Sequence, residues 1–169
     1  ESAGRARAVL PVHLAGQTAD LPALAKAAAP HGVAIIEDAC HALGTTYRDG
    51  AETVAVGSCR HSAMTVFSFH PVKTVATGEG GAVTTNDPAL YERMKRLRNH
   101  GTTQLPADFR NAGLAFGAGG EANPWYYESH ELGFNYRASD IHCALALSQL
   151  GKLGRFASKR RALAEMYDR

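Results

Sequence analysis

Lys73 closes the block Phe67-Ser68-Phe69-His70-Pro71-Val72-Lys73, and Asp38 ends a strongly apolar run that continues into Ala39-Cys40-His41. An amine, a carboxylate and a phosphate-sized hydroxyl in this order suit pyridoxal phosphate. That cofactor stabilises a carbanion by drawing electrons into its pyridinium ring, so a protein must offer a lysine for a Schiff base and an acid for the ring nitrogen. Lys73 and Asp38 fit those roles, and Ser68 adds the hydroxyl. A lone lysine says little, because most are solvated surface charges. Asp38 has a second reading, since a carboxylate here could cap a following helix by accepting backbone amides. The two roles are compatible.

The surrounding elements must bring these residues together. Gly32 to Glu37 reads as a short buried strand, so Asp38 emerges at its carboxyl end, where ligands bind open α/β sheets. A second apolar stretch, Ala63 to Phe69, delivers Ser68 and then Lys73 to the same rim. A further strand is expected near Ala8 to Val12, and a helix opens at Asp20 with Pro22 in its first turn. Strands follow near Val54 to Cys59 and Ala82 to Thr85. Asn86-Asp87-Pro88 starts a helix that ends near Arg98, before Gly101. Gly78-Glu79-Gly80-Gly81 reads as a turn, because Lys73-Thr74 precede the glycines and no six-residue glycine motif opens a helix. Alternating strands and helices predict an α/β fold with a mostly parallel sheet. Residues 102–129 are rich in Gly, Pro and Asn and long for a plain connection, so a functional or flexible segment that could reach a partner subunit is expected. Helices are predicted over Ser139 to Leu153, with Ile141, Ala144, Leu145 and Ser148 on one stripe, and from Arg155 onward.

Six ordered blocks carry a family resemblance: Pro11 to Gly16, Glu37 to Gly44, Phe67 to Lys73, Gly78 to Val83, Arg98 to Gly101 and Leu132 to Arg137. Together they resemble the DegT/DnrJ/EryC1/StrS family of sugar aminotransferases, a branch of the type I aminotransferase fold, over Pro11 to Tyr167. The resemblance implies that Lys73 is the Schiff-base lysine and proton shuttle, and that Asp38 pairs with the pyridinium nitrogen. It places His41 beside the cofactor ring, at a position often glutamine. It makes Ser68 a phosphate contact, Asn135 a contact to the cofactor phosphate of the neighbouring subunit, and Arg137 a carboxylate clamp for the amino donor. The residues alone leave another reading for Asn135 and Arg137, which follow Gly133 where polar side chains commonly satisfy turn backbone. The implied architecture is part of a large cofactor-binding domain over 1–137 and helices over 138–169 leading to a small domain. On this resemblance the chain is expected to be an internal fragment, and the complete protein a homodimer with shared active sites. Within the family the blocks look most like the branch that aminates C4 of a UDP-linked 4-keto-6-deoxy sugar with glutamate in pseudaminic acid biosynthesis. Another nucleotide-linked keto-sugar remains an alternative.

Other classes fit less well. A dehydratase of the same fold would carry histidine in place of Lys73, and a non-catalytic binding protein would be free to lose Lys73, Asp38 and Ser68. With 20% charged residues, a net charge of +2 and no basic run interleaved with aromatics, the chain lacks a nucleic-acid footprint. Lys159-Arg160-Arg161 reads as the solvated face of an amphipathic helix. His13, His41, His61, His70, His100 and His142 show no paired metal-ligand spacing, so no metal is expected. No apolar stretch is long enough to span a bilayer. The three cysteines, Cys40, Cys59 and Cys143, are expected as reduced, buried thiols of a cytoplasmic protein.

Overall fold

The computed structural model describes residues 6–168. The chain forms two compact units, Pro88–Arg137 being one and the residues before and after it the other.

The first unit opens with strand β1 (Ala8–Val9) and helix α1 (Leu21–Ala28). Asp20 caps α1 as its position predicts, its Oδ1 accepting from the Ala23 amide at 3.1 Å, with Pro22 in the first turn. Strand β2 (Ala34–Asp38), the hairpin β3 (Thr46–Asp49) and β4 (Glu52–Ala55), strand β5 (Met64–Ser68) and strand β6 (Gly81–Thr84) follow. The sheet order is β1-β2-β5-β6. β1 and β5 both run parallel to β2, and β6 returns antiparallel along β5. The expected α/β architecture with a mostly parallel sheet is therefore present. The strand expected over Val54 to Cys59 is instead the second arm of the β3–β4 hairpin and stops at Ala55. Its first arm went unread, although Gly50-Ala51 forms a two-residue hairpin loop in which Gly50 takes the positive φ of 59° that the first loop position favours.

Strand alternation divides the sheet into two faces. Glu37 lies opposite Thr65 and Asp38 opposite Val66. One face therefore carries Ile35, Glu37, Thr65 and Phe67, all buried, while the other carries Ile36, Asp38, Val66 and Ser68, all half-buried. The core on the buried side joins Ile35 and Phe67 to Leu21 of α1 and to Tyr47 and Val54 of the hairpin. Burying a side chain such as Phe67 contributes about 1.5–3 kcal/mol. The polar Asp38 and Ser68 thus share the less buried face.

The second unit contains helix α2 (Pro88–Leu97), strand β7 (Thr102–Thr103), the single turn α3 (Ala112–Ala115) and strand β8 (Glu128–Ser129). β7 and β8 pair antiparallel and close the ends of the 102–129 segment. The chain then rejoins the first unit with helices α4 (Asp140–Leu150) and α5 (Leu153–Tyr167). Ser139 caps α4, its Oγ accepting from the His142 amide at 3.3 Å. The stripe expected on α4 is not buried among the described residues, Ile141 being 75% and Leu145 44% exposed. Cys59 is buried, Cys40 half-buried and Cys143 exposed, all as free thiols. Only Cys59 therefore matches the expected burial. Among the described residues no helix is long and apolar enough to cross a membrane.

Candidate active site

Asp38 is held by its own turn. No helix follows it directly; its Oδ1 accepts from the Cys40 amide at 3.0 Å, so the cap reading becomes a cap on a turn. The Cys40 thiol also bonds the carboxylate, and this bond is the largest influence holding Asp38 below the usual aspartate range, followed by the Cys40 amide and, more weakly, the charge of Lys73. Burial pushes the Cys40 thiol up, and the bond to Asp38 adds to it. A carboxylate kept ionised at the carboxyl rim of the sheet suits a cationic ring nitrogen.

Lys73 and Asp38 share this rim, close enough for the ammonium to bias both Asp38 and Cys40. A tight turn delivers the lysine: its amide donates to the His70 carbonyl at 2.9 Å, and the His70 amide donates to Ser68 Oγ at 3.3 Å. Ser68 therefore accepts from its own turn and keeps its hydroxyl proton for another acceptor. Lys73 and Thr74 border a pocket of about 320 Å³ completed by Gln149 of α4 and Phe156, Lys159 and Arg160 of α5. Arg160 Nη1 donates to Thr74 Oγ1 at 2.9 Å. The cluster read as a solvated face thus turns part of its charge toward the Lys73 loop, a contact across 86 residues that no local pattern signals.

His41 stands exposed three residues beyond Asp38, and its Nδ1 accepts from the Ala15 amide at 3.3 Å. That bond places the ring proton on Nε2, a donor like the amide of the glutamine the family often carries there.

Asn135 and Arg137 lie in the second unit. Asn135 forms an antiparallel bridge with Asn99, and its Oδ1 accepts from the Arg137 amide at 3.3 Å, the turn-satisfying role also open from the sequence. Arg137 Nη1 donates to Asn99 Oδ1. Arg137 borders a groove of about 560 Å³ with Lys95, Arg96 and Arg98. Gly133 makes this arrangement possible, because a Cβ there would stand 2.3 Å from the Gly101 nitrogen and 2.6 Å from the Leu97 carbonyl.

Sequence reading passed over Glu37, which is 1% exposed. Its carboxylate accepts from His13 Nε2 at 2.9 Å, from Thr65 Oγ1 at 2.9 Å and from Ser62 Oγ. An acidic residue inside an apolar strand was the available signal, because a buried carboxylate needs partners.

A mostly parallel sheet with a lysine, an acid and a hydroxyl at its carboxyl rim is an arrangement suited to pyridoxal phosphate. The profile of the DegT/DnrJ/EryC1/StrS aminotransferase family matches residues 3–169, and the chain belongs to that family. Among solved structures it is similar to Helicobacter pylori PseC, an aminotransferase involved in the biosynthesis of pseudoaminic acid. The two share 32% identity over 97% of this chain and 38% of that one, with a TM-score of 0.80. S. venezuelae DesV is 34% identical over 96% of this chain and 37% of its own, with a TM-score of 0.74. A putative Streptococcus pneumoniae sugar aminotransferase, solved in PLP and PMP forms, is 25% identical over 98% of this chain and 41% of its own, with a TM-score of 0.76. The chain thus spans roughly two fifths of these relatives' length.

Proposed function

We propose that this chain forms the cofactor-binding part of a pyridoxal-phosphate-dependent aminotransferase acting on a nucleotide-linked keto-sugar, with glutamate as amino donor. The observation that carries the reading is the meeting of Lys73 with an ionised Asp38 at the carboxyl rim of the sheet. The residues present fit the cofactor: a lysine in a preformed turn, a carboxylate held by Cys40, and a serine whose proton is free. When bound, pyridoxal phosphate supplies an electron sink for the carbon whose amino group is exchanged. Lys73 would hold the cofactor through its amine and serve as the base that moves the substrate proton. Asp38 holds the proton of the ring nitrogen, His41 offers its Nε2 proton at the ring edge, and Ser68 donates to the phosphate. Asn135 serves the phosphate of a neighbouring subunit. Arg137 receives the donor's carboxylate with the guanidinium edge that Asn99 leaves open.

Residues 1–137 contribute to the large domain and 138–169 lead toward a second one in the full-length protein. The proposed substrate is a UDP-linked 2-acetamido-4-keto-6-deoxy sugar aminated at C4 in pseudaminic acid biosynthesis, supported by the likeness to PseC. Free thiols throughout agree with work in the reducing cytoplasm. Borohydride reduction of the full-length protein followed by peptide mapping tests the assignment. The adduct is expected on Lys73; an adduct on another lysine, or none, overturns it.

A further inference from the structure

Between β1 and α1 the segment Pro11–Gly16 forms a strap that starts beside the Asp38 end of β2, Val12 bridging Asp38 in the parallel register of β1. The Asp38 amide donates to the Pro11 carbonyl and the His13 amide to the Asp38 carbonyl, both at 2.9 Å, so both backbone polar groups of Asp38 are taken by the strap. Two residues later, the Ala15 amide meets His41 Nδ1, with Ala15 in a left-handed conformation at φ 54°. The strap thereby touches two residues of the proposed cofactor site. Its own hold on the protein is narrow. Val12 and Leu14 are 52% and 66% exposed, whereas His13 between them is 0% exposed. His13 Nδ1 accepts from the Ala19 amide at 3.1 Å, which puts the ring proton on Nε2, aimed at Glu37. Thr65 of β5 and Ser62 before it complete the Glu37 carboxylate. Ile35 and Phe67 on the same sheet face are apolar, and an apolar pair would commonly serve stability as well as a buried polar one. A polar pair with each bond satisfied selects a single geometry instead.

We propose that His13 and Glu37 are positioning residues, a buried pair behind the sheet that anchors the Pro11–Gly16 strap and through it sets Asp38 and His41 against the cofactor. This rests on the cofactor reading above. Adjacent residues of one strand divide the work: Asp38 faces the ligand, and Glu37 on the opposite face fixes the strap that locates Asp38.

Glu37→Gln in the full-length protein is the discriminating change. It keeps acceptors for Ser62 and Thr65 but sets an amide N–H against the His13 N–H. Cofactor loading, visible circular dichroism of the bound cofactor, kcat and KM, and amide hydrogen exchange without cofactor are measured together. The expected result is a kcat per loaded site lower by about 10- to 100-fold, the scale of a small misplacement of reacting groups. KM should hold within about twofold, because substrate contacts are untouched. Cofactor dichroism should be altered, and the His13, Ala15 and Asp38 amides should exchange faster. His13→Gln with Glu37 intact, which can still donate to that carboxylate, should retain most of the dichroism and kcat. A lower melting temperature with unchanged dichroism and unchanged kcat per loaded site overturns the proposal and leaves a merely structural pair. If Glu37→Gln does not fold, Thr65→Val and Ser62→Ala, each removing one bond to Glu37, are read by the same split. Wild-type protein that binds no cofactor defeats the cofactor reading. Exchange at the His13, Ala15 and Asp38 amides then decides the anchor alone, and unchanged rates in the variant overturn it.

Discussion

At the residue scale, the chemistry depends on how Asp38 is kept as an anion. Cys40 supplies both an amide and a thiol to the carboxylate, and Lys73 favours the charge further. Asp38→Asn should leave the fold in place, since the amide oxygen can still accept from Cys40, yet it cannot retain a pyridinium proton as a carboxylate does. Transamination by the full-length enzyme is expected to fall about a hundredfold or more, the loss that follows removal of an electrostatic partner from developing charge. Near-normal steady-state turnover would remove Asp38 from its role. His41 and Ser68 have narrower parts, each with one acceptor site used by a backbone amide and its proton left for a ligand.

At the scale of elements, two contacts decide whether the rims hold their shape. β5 delivers Ser68 and is backed by β6, and a Cβ on Gly81 would stand 2.6 Å from the Phe67 carbonyl oxygen. A backbone atom cannot swing aside like a side chain. Gly81→Ala should therefore cost about 1–3 kcal/mol in a denaturant titration, the usual scale of overpacking, and an unchanged midpoint would show that the strand pair yields freely. In the second unit, Glu128 gathers the 102–129 segment. Its carboxylate accepts from the Arg110 and Asn111 amides, from the Tyr126 hydroxyl at 2.9 Å and from His130 Nε2 at 2.6 Å. Led by the Asn111 amide, these bonds lower Glu128 from its ordinary 4.5 to about 2. The unfolded state then binds the proton first as pH falls. The stabilisation is complete above about 4.5 and is lost progressively as pH drops toward about 2. Hydrogen exchange at Arg110 and Asn111 should accelerate across that window after correction for intrinsic rates. Glu128→Gln should expose both amides already at neutral pH, and protection that ignores both changes would count against the carboxylate as the anchor.

For the whole molecule, the proposal is a homodimer whose sites draw residues from both subunits. Exposed Leu132, Phe134 and Tyr136 flank Asn135, at 98%, 68% and 73% exposure, and would be suited to burial against a second copy. Mixing full-length Lys73→Ala and Asn135→Ala subunits, each inactive alone, gives a quantitative expectation. Random pairing makes about half the dimers mixed with one intact site of two, so activity should recover to about a quarter of wild type. Demonstrated subunit exchange without recovery would place both residues in one subunit's site.

Much of the architecture was legible because its causes are local. The apolar runs of β2 and β5, the caps Asp20 and Ser139, and the proline at Pro88 each act within a few residues, so the strand ends bearing Asp38 and Ser68 could be read from the chain. The β3 arm was missed although its turn signal was local too, because a strand of four residues leaves little periodicity to find. Lys73, Asp38 and Ser68 were recognisable as residue types, but their meeting at one rim depends on β2 and β5 pairing in parallel register. The knot at Glu37 joins residues 24 to 28 positions apart, and the Arg160–Thr74 contact spans 86. Sequence alone determined which segments could bury an apolar face. Tertiary structure decided which polar groups meet behind it, because a hydrogen bond between distant residues exists only after strand register and sheet face have been chosen.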